Sequence, residues 1–251
     1  MDFWIASLGS STLNTIGTSY IMNNKKSVFT RLHIIRHGQT AWNEKKLIQG
    51  ILDDIPLNET GLQQAEAVAA NLKSNYHVDV VYASNAKRAQ QTAQTICETF
   101  NKVLYITPNL NEIDFGVFSG SSIYEIESKF PEYFKKFRHF IATNRDQGTI
   151  RPLIPNGEPL EHIESRVKAF VSEILREHRG KQIAAVSHGS FIKCLITHFS
   201  GESIHNYMPY WVENASISVI DFFGTIPIIR RLNDTSHLDQ GTLDFSVPRI
   251  I

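Results

Sequence analysis

Four short stretches place residues that can do chemistry directly after an apolar run. Arg36-His37-Gly38 follows "LHII", Lys87-Arg88 follows "VDVVYAS", Asn111-Glu112 follows "LYIT", and His188-Gly189 follows "QIAAVS". Arginine and histidine at the end of a buried run are costly unless a partner or a ligand satisfies them. Singly, each reads as something ordinary: a His-Gly turn, a surface arginine at a helix start, a carboxylate that caps or pairs. Together they are two histidines, at least two arginines and one carboxylate, and that set suits phosphoryl transfer. A histidine can attack phosphorus and form a phosphoramidate, dividing one hard displacement into two easier ones. Arginine forks and a second histidine stabilise charge on the transferring oxygens. A carboxyl group can protonate the departing alkoxide and then deprotonate water. The cationic side chains take over a metal's electrostatic role, so this chemistry requires neither metal nor cofactor.

The elements that must position these groups alternate along the chain. "RLHII", "VDVVYAS", "LYIT", "QIAAVSHG", "ASISVIDF" and "IPIIRR" read as strands. "GLQQAEAVAANLKS" reads as a helix capped near Thr60, with Leu62, Ala65, Val68, Ala69 and Leu72 on its apolar stripe. "AKRAQQTAQTICETF" and "SFIKCLITHF" are further helices. "EHIESRVKAFVSEILREHRG" is a long one, with Ile163, Val167, Phe170, Val171, Ile174 and Leu175 on one face and Gly180 as its stop. The pattern predicts an α/β fold, a three-layer α/β/α sandwich around a mostly parallel central sheet. In such sheets ligands bind beyond the carboxyl ends of the strands, which gathers the four stretches at one edge. Residues 121–156 break the rhythm with Pro131, Pro152 and Pro155 and read as a helical insertion over that edge. Residues 1–26, rich in Ser, Thr and Asn, read as a weakly ordered extension before a domain spanning 27–251.

Composition bounds the partners. Among 251 residues, 42% are hydrophobic and 20% charged, with 25 Lys plus Arg against 25 Asp plus Glu. That balance predicts neither a nucleic-acid binder nor a membrane-surface protein. The longest apolar candidate, "ISVIDFFGTIPII", is too short to span a bilayer and contains Asp221 and Pro227. Cys97 and Cys194 read as buried thiols of a reducing compartment, hence a cytoplasmic location. His162, His178, His198, His205 and His237 have no metal-ligand spacing, and His33 reads as packed within its strand.

"RHGQTAWNEKKLIQG", "DDIPLNETGLQQA", "ASNAKRAQQTA", "LNEIDFGVFSG" and "AVSHG" together resemble the histidine phosphatase superfamily, also called phosphoglycerate mutase-like. The likeness runs from about Leu32 to Gly189, and "NASISVIDF" and "LNDTSHL" extend it to about Leu238. The resemblance implies that His37 is the nucleophile and Glu112 the general acid and base. It implies that Arg36, Arg88 and His188 bind phosphate, with Asn43 and Gly189 contributing and Gln49-Gly50 flanking the pocket. Two departures stand out. Ala86 replaces a usual leucine, and Gly157-Glu158-Pro159 replaces G-E-S. Pro159 suits the first turn of the long helix, where its missing N–H is no loss.

Within the family, a mutase excludes water and returns the phosphoryl group to its substrate, whereas a phosphatase admits water. Mutases usually read G-W where this chain has Gln49-Gly50, and their acid loop resembles LNERHYG, where this chain has Ile113-Asp114-Phe115-Gly116. The phosphatase branch is favoured: a metal-independent phosphomonoesterase for a small soluble phosphate, with a homodimer as the assembly considered. A cofactor-dependent phosphoglycerate mutase is the runner-up, and a catalytically weak phospho-ligand-binding scaffold is the third reading. In the insertion, "FPEYFKKFRHFIATN" sets Phe130, Phe134, Phe137 and Ile141 at helical spacing, with Lys135, Lys136, Arg138 and His139 on other faces. These cations are either a solvated face or, more sharply, readers of a second anionic group on the substrate. Tyr207, Tyr210 and Trp211 are candidates for the pocket wall.

Overall fold

The structure, a computed structural model, describes residues 29–143, 152–207 and 210–238; the expected extension, 1–26, lies outside them. Six strands form one sheet: β1 (Thr30–Arg36), β2 (Val80–Ala83), β3 (Leu104–Ile106), β4 (Gln182–Ser187), β5 (Ile217–Phe223) and β6 (Ile226–Asp234). Their spatial order is β3-β2-β4-β1-β5-β6. The first four in that order are parallel; β5 runs antiparallel to β1, and β6 antiparallel to β5. The α-helices among the described residues are α1 (Ala41–Glu44), α2 (Glu59–Asn75), α3 (Lys87–Phe100), α4 (Ile123–Lys129), α5 (Pro131–Thr143), α6 (Leu160–Glu177) and α7 (Gly189–Ser200). None of them is long and apolar enough to cross a membrane.

Alternation along the strands sends side chains to two cores. Leu32 and Ile34 of β1, Ile183 and Ala185 of β4, and Ile220 of β5 meet Val167, Phe170 and Ile174 of α6 and Phe191 and Leu195 of α7. Ile35, Val81, Ala184, Val186 and Val219 face the other way, onto Val68 and Leu72 of α2 and Ala89, Ala93 and Ile96 of α3. The expected three layers and the stripe on α6 are therefore present, as is the stripe on α2 apart from Leu62. The insertion is helical, as expected: Ile126 of α4 and Phe134 of α5 join Phe118 and Ile154 in the first core. Phe137 is buried and Phe130 half-buried, while the Ile141 side chain lies outside those described. A bridge between Leu47 and Ser122, with Ile48 N donating to Ser121 O at 3.0 Å, docks the insertion beside the segment that follows α1.

Three local expectations are corrected. The cap of α2 is Asn58, whose Oδ1 accepts from Gly61 N at 2.9 Å, so Thr60 already lies inside the helix. Leu62 is 47% exposed, because Gly61 is the first-turn residue turned inward. A Cβ on Gly61 would lie 2.0 Å from Gln39 O, and one on Gly38 2.4 Å from Gly61 O; only glycines permit this approach of α2 to the loop after β1. Pro159 is the N-cap of α6, in extended backbone at ψ 142°, one position earlier than expected. It has no hydroxyl with which to cap.

His33 is buried on the α2–α3 side of the sheet, its ring 4.4 Å from that of Tyr76 and its Nε2 3.4 Å from Gln182 Oε1. Burial lowers its pKa from 6.5 to about 4. The native state thus holds His33 neutral where the unfolded chain would take up a proton. Its contribution is fully present above pH 6.5 and lost as pH falls towards 4. Urea unfolding at intervals across this window is expected to show wild type losing about 3 kcal/mol more than His33→Gln. Equal slopes for the two proteins would contradict the assignment.

Candidate active site

The parallel pairing of β1 with β4 sets Arg36 opposite Ser187, so His37 and His188 leave neighbouring strands side by side. His37 N donates to Ser187 O at 3.0 Å, and Ala215 N lies 3.0 Å from Arg36 O and 3.1 Å from His37 O. Asn214 Nδ2 adds a bond to His37 O at 3.1 Å. The backbone carrying Arg36 and His37 is thereby gripped from both sides. His37 Nδ1 lies 2.7 Å from Gly38 O, which can only accept. Nδ1 therefore carries the proton, and the imidazole lone pair is on Nε2. Gly38 N in turn donates to Thr92 Oγ1 of α3 at 3.1 Å.

The two histidine rings are 5.1 Å apart, centre to centre. His188 is 1% exposed, with Nε2 2.6 Å from Ser84 Oγ at the end of β2. Its pKa is pushed well below 6.5, first by burial and then by Arg88, His37, Arg36 and Arg166. Arg88, in the first turn of α3, is also 1% exposed. It donates Nη1 to Leu52 O at 2.6 Å and Nη2 to Gly50 O at 2.8 Å. Burial lowers its pKa to about 10, opposed by Glu112 and Asp53, and it stays cationic at neutral pH. His188 Nδ1 and Arg88 Nε are buried atoms with no hydrogen-bond partner among the described residues. Arg36 reaches Val212 O through Nη1 at 2.8 Å and packs against Gly189, where a Cβ would sit 3.5 Å from Arg36 Nε.

Glu112 meets the N-terminus of α7. Its Oε2 accepts from Ser190 N at 3.1 Å, and its Oε1 from Phe191 N at 3.0 Å and Ile113 N at 2.9 Å. A carboxylate is well suited to the exposed N–H groups of a helix start. The loop carrying it is tied down by Ser187 Oγ donating to Leu110 O at 2.7 Å and Asn85 N donating to Asn111 Oδ1 at 3.0 Å.

The flanking residues divide by what they hold. Thr40 and Asn43 form a capping box on α1, and Asn43 Oδ1 also takes Asn214 Nδ2 at 3.2 Å. With the oxygen so used, the Asn43 NH2 is the group it can offer an anion. Gln49 Oε1 is 3.1 Å from Thr40 Oγ1, and Gly50, at φ +53°, contributes its carbonyl to Arg88. Tyr207 is a core residue, 1% exposed. Tyr210 donates to Ser200 Oγ at 2.9 Å and Trp211 to Glu213. Lys135, Lys136, Arg138 and His139 are all exposed, and Arg138 pairs with Glu127, which fits the solvated face. Ser84, Thr92 and Asn214 escaped the reading of the sequence. All three stand within motifs that carry the family likeness, yet only the tertiary fold reveals their partners.

The model of the histidine phosphatase superfamily (branch 1) matches residues 32–235. Phosphoserine phosphatase 1 of Hydrogenobacter thermophilus is 32% identical over 210 residues, covering 84% of this chain and 95% of that protein. A probable phosphoglycerate mutase GpmB of Yersinia pestis is 29% identical over 219 residues, covering 85% and 97%. The crystal structure of a phosphoserine phosphatase mutant from Entamoeba histolytica, in complex with phosphoserine, superposes with a TM-score of 0.71. It is 30% identical, over 83% of this chain and 99% of that one.

An anion between these cations favours the charged form of His188, so its titration should respond to ligand. In 15N-histidine spectra, His188 is expected to stay neutral well below pH 6.5 without ligand. Its midpoint should rise by about one unit or more in saturating vanadate. Titration at 6.5 in the absence of ligand would contradict the burial argument.

Proposed function

Because the chain belongs to the histidine phosphatase superfamily, we propose that it hydrolyses a small phosphomonoester through phosphorylated His37, without a metal. One observation carries this reading. His188 Nδ1 and Arg88 Nε are buried without an acceptor among the described residues, beside a histidine whose Nε2 bears the lone pair. Buried polar atoms are almost always satisfied; Arg88 Nε is a donor, His188 Nδ1 becomes one when Nε2 accepts from Ser84 Oγ, and a phosphoryl group is the acceptor that suits this pair.

The steps follow from the donors. Arg36, Arg88, His188 and the Asn43 amide hold the phosphoryl oxygens, with Gly189 leaving room for Arg36 and Gln49-Gly50 shaping the rim. His37 Nε2 attacks phosphorus as the ester P–O bond breaks, and Glu112 gives the leaving alkoxide its proton. Glu112, now a carboxylate, takes a proton from water, and the hydroxide breaks the N–P bond to release inorganic phosphate and restore His37. The arginines balance the charge that spreads over the oxygens.

Phosphoserine, a sugar phosphate or a phosphoglycerate fits the expected size. Cys97 and Cys194 are buried thiols, which supports a reducing, cytoplasmic setting. The mutase reading is favoured by the relative named as a probable phosphoglycerate mutase. It requires that His37 return its phosphoryl group to a bound phosphoglycerate before water arrives.

Wild type, His37→Ala and Glu112→Gln are to be compared in EDTA against a panel of phosphomonoesters by released phosphate. A bisphosphoglycerate-primed isomerisation assay runs beside them. Release by wild type, its absence in His37→Ala, and a kcat loss of about 10²–10⁴-fold in Glu112→Gln on alkyl esters are expected. Primed isomerisation without release would replace this reading with the mutase. Neither activity would replace it with a phospho-ligand binder.

A further inference from the structure

We propose that Arg166 of α6, braced by Glu158, is the positioning residue of Glu112, a role that rests on the phosphatase reading above. The guanidinium has five N–H donors, and all five are used within one small region. Nε and Nη2 donate to Glu158 Oε1 and Oε2 at 2.9 and 2.8 Å, a two-bond fork. Nη1 donates to Asn111 O at 2.8 Å and reaches Asn109 O at 3.4 Å, and the second Nη2 proton reaches Glu112 O at 3.4 Å. The guanidinium carbon also lies 5.3 Å from the ring centre of Phe191. Phe191 supplies the N–H that holds Glu112 Oε1. Arg166 therefore touches Glu112 from both ends: the carbonyl of its own peptide and the residue that anchors its carboxylate.

Glu158 is itself fixed to the same loop. Its N donates to Asp114 O at 2.9 Å, and Gly157 N donates to Ile154 O at 2.8 Å. The Gly157-Glu158-Pro159 turn thus grips the loop beyond Glu112 through its backbone and the loop before it through Arg166. A lysine cannot reproduce this arrangement, because it presents a point charge rather than a planar fork. The pair is also mostly shielded, with side chains 18% and 17% exposed, so a specific geometry can be maintained.

A positioning role and a merely structural one predict different kinetics. Glu112 is needed where a proton moves: onto a poor alkoxide leaving group, and off the water that attacks phosphohistidine. It is not needed to expel dinitrophenolate, which leaves without a proton. Arg166→Met and Arg166→Lys are to be assayed with β-glycerophosphate and, by stopped flow, with 2,4-dinitrophenyl phosphate. For both variants kcat on β-glycerophosphate is expected to fall about 100-fold, the scale of a misplacement near 1 Å. The dinitrophenolate burst should keep its rate within about threefold while the turnover after it slows, so that base-stable phosphohistidine accumulates.

Glu158→Gln removes one charge and one acceptor with almost no change of shape, and it is expected to show the same split at about tenfold. It carries the test if the Arg166 variants do not fold by circular dichroism. Equal losses in burst and alkyl-ester turnover, full activity, or a change in KM alone would overturn the positioning role. A wild-type enzyme that yields neither burst nor released phosphate would instead overturn the phosphatase reading.

Discussion

Burying two guanidiniums beside two imidazoles sets the terms for everything around this site. Arg88 and Arg36 are 1% and 7% exposed. Taking each cation out of water costs several kcal/mol unless hydrogen bonds and opposite charge offset it. The protein meets part of that demand with backbone oxygens: Val212 for Arg36, Gly50 and Leu52 for Arg88. Glu112 supplies negative charge near Arg88, and His188 yields its own proton to the crowding. Arg88 Nε and His188 Nδ1 have no hydrogen-bond partner among the described residues. Cations held this way suit an anion that can accept several bonds at once, the demand on which the proposed phosphoryl chemistry rests.

The backbone makes that arrangement stable. Two parallel strands in fixed register deliver His37 and His188 together, and the segment before β5 closes over the first of them. Because the loop after β1 lies against α2 at Gly38 and Gly61, with no Cβ on either side, it cannot drift without losing that contact. Donors held in place before the reaction cost nothing to reorganise during it. The N-terminus of α7 is spent differently from many phosphate sites. Its N–H groups at Ser190 and Phe191 hold the carboxylate of Glu112.

How far the sequence told this depends on the range of the cause. The strand–helix alternation and the stripe on α6 are local, and they were legible from spacing. The chemistry-bearing residues were legible because each follows a strand, where the topology of an open sheet collects ligands. The errors lay where a neighbour decides. Thr60 has the chemistry of a cap, but Asn58 is the residue whose backbone is extended there. Leu62 satisfies the helical period, yet the close approach of Gly61 to Gln39 turns the helix so that Leu62 faces out. Ser84 finds His188 across 104 residues, and Asn214 finds His37 across 177. Side chains of that kind are ordinary hydroxyls and amides until the register of the sheet is known.

Glu158 shows why the same distance matters for specificity. It stands between the helical insertion and α6, and in the sequence it draws notice only through the proline beside it. In the fold, its backbone binds the loop after Glu112 and its carboxylate binds the arginine that spans the loop before it. The insertion docks on the segment after α1 through Ser121 and Ser122. The loop that carries Glu112 is therefore gripped through polar contacts by Glu158 and Arg166. Ile113 and Phe115, just past Glu112, share the first core with Ile126 of α4 and Phe134 of α5, so the loop is held by apolar packing on the insertion's side and by a charged fork on the side of α6.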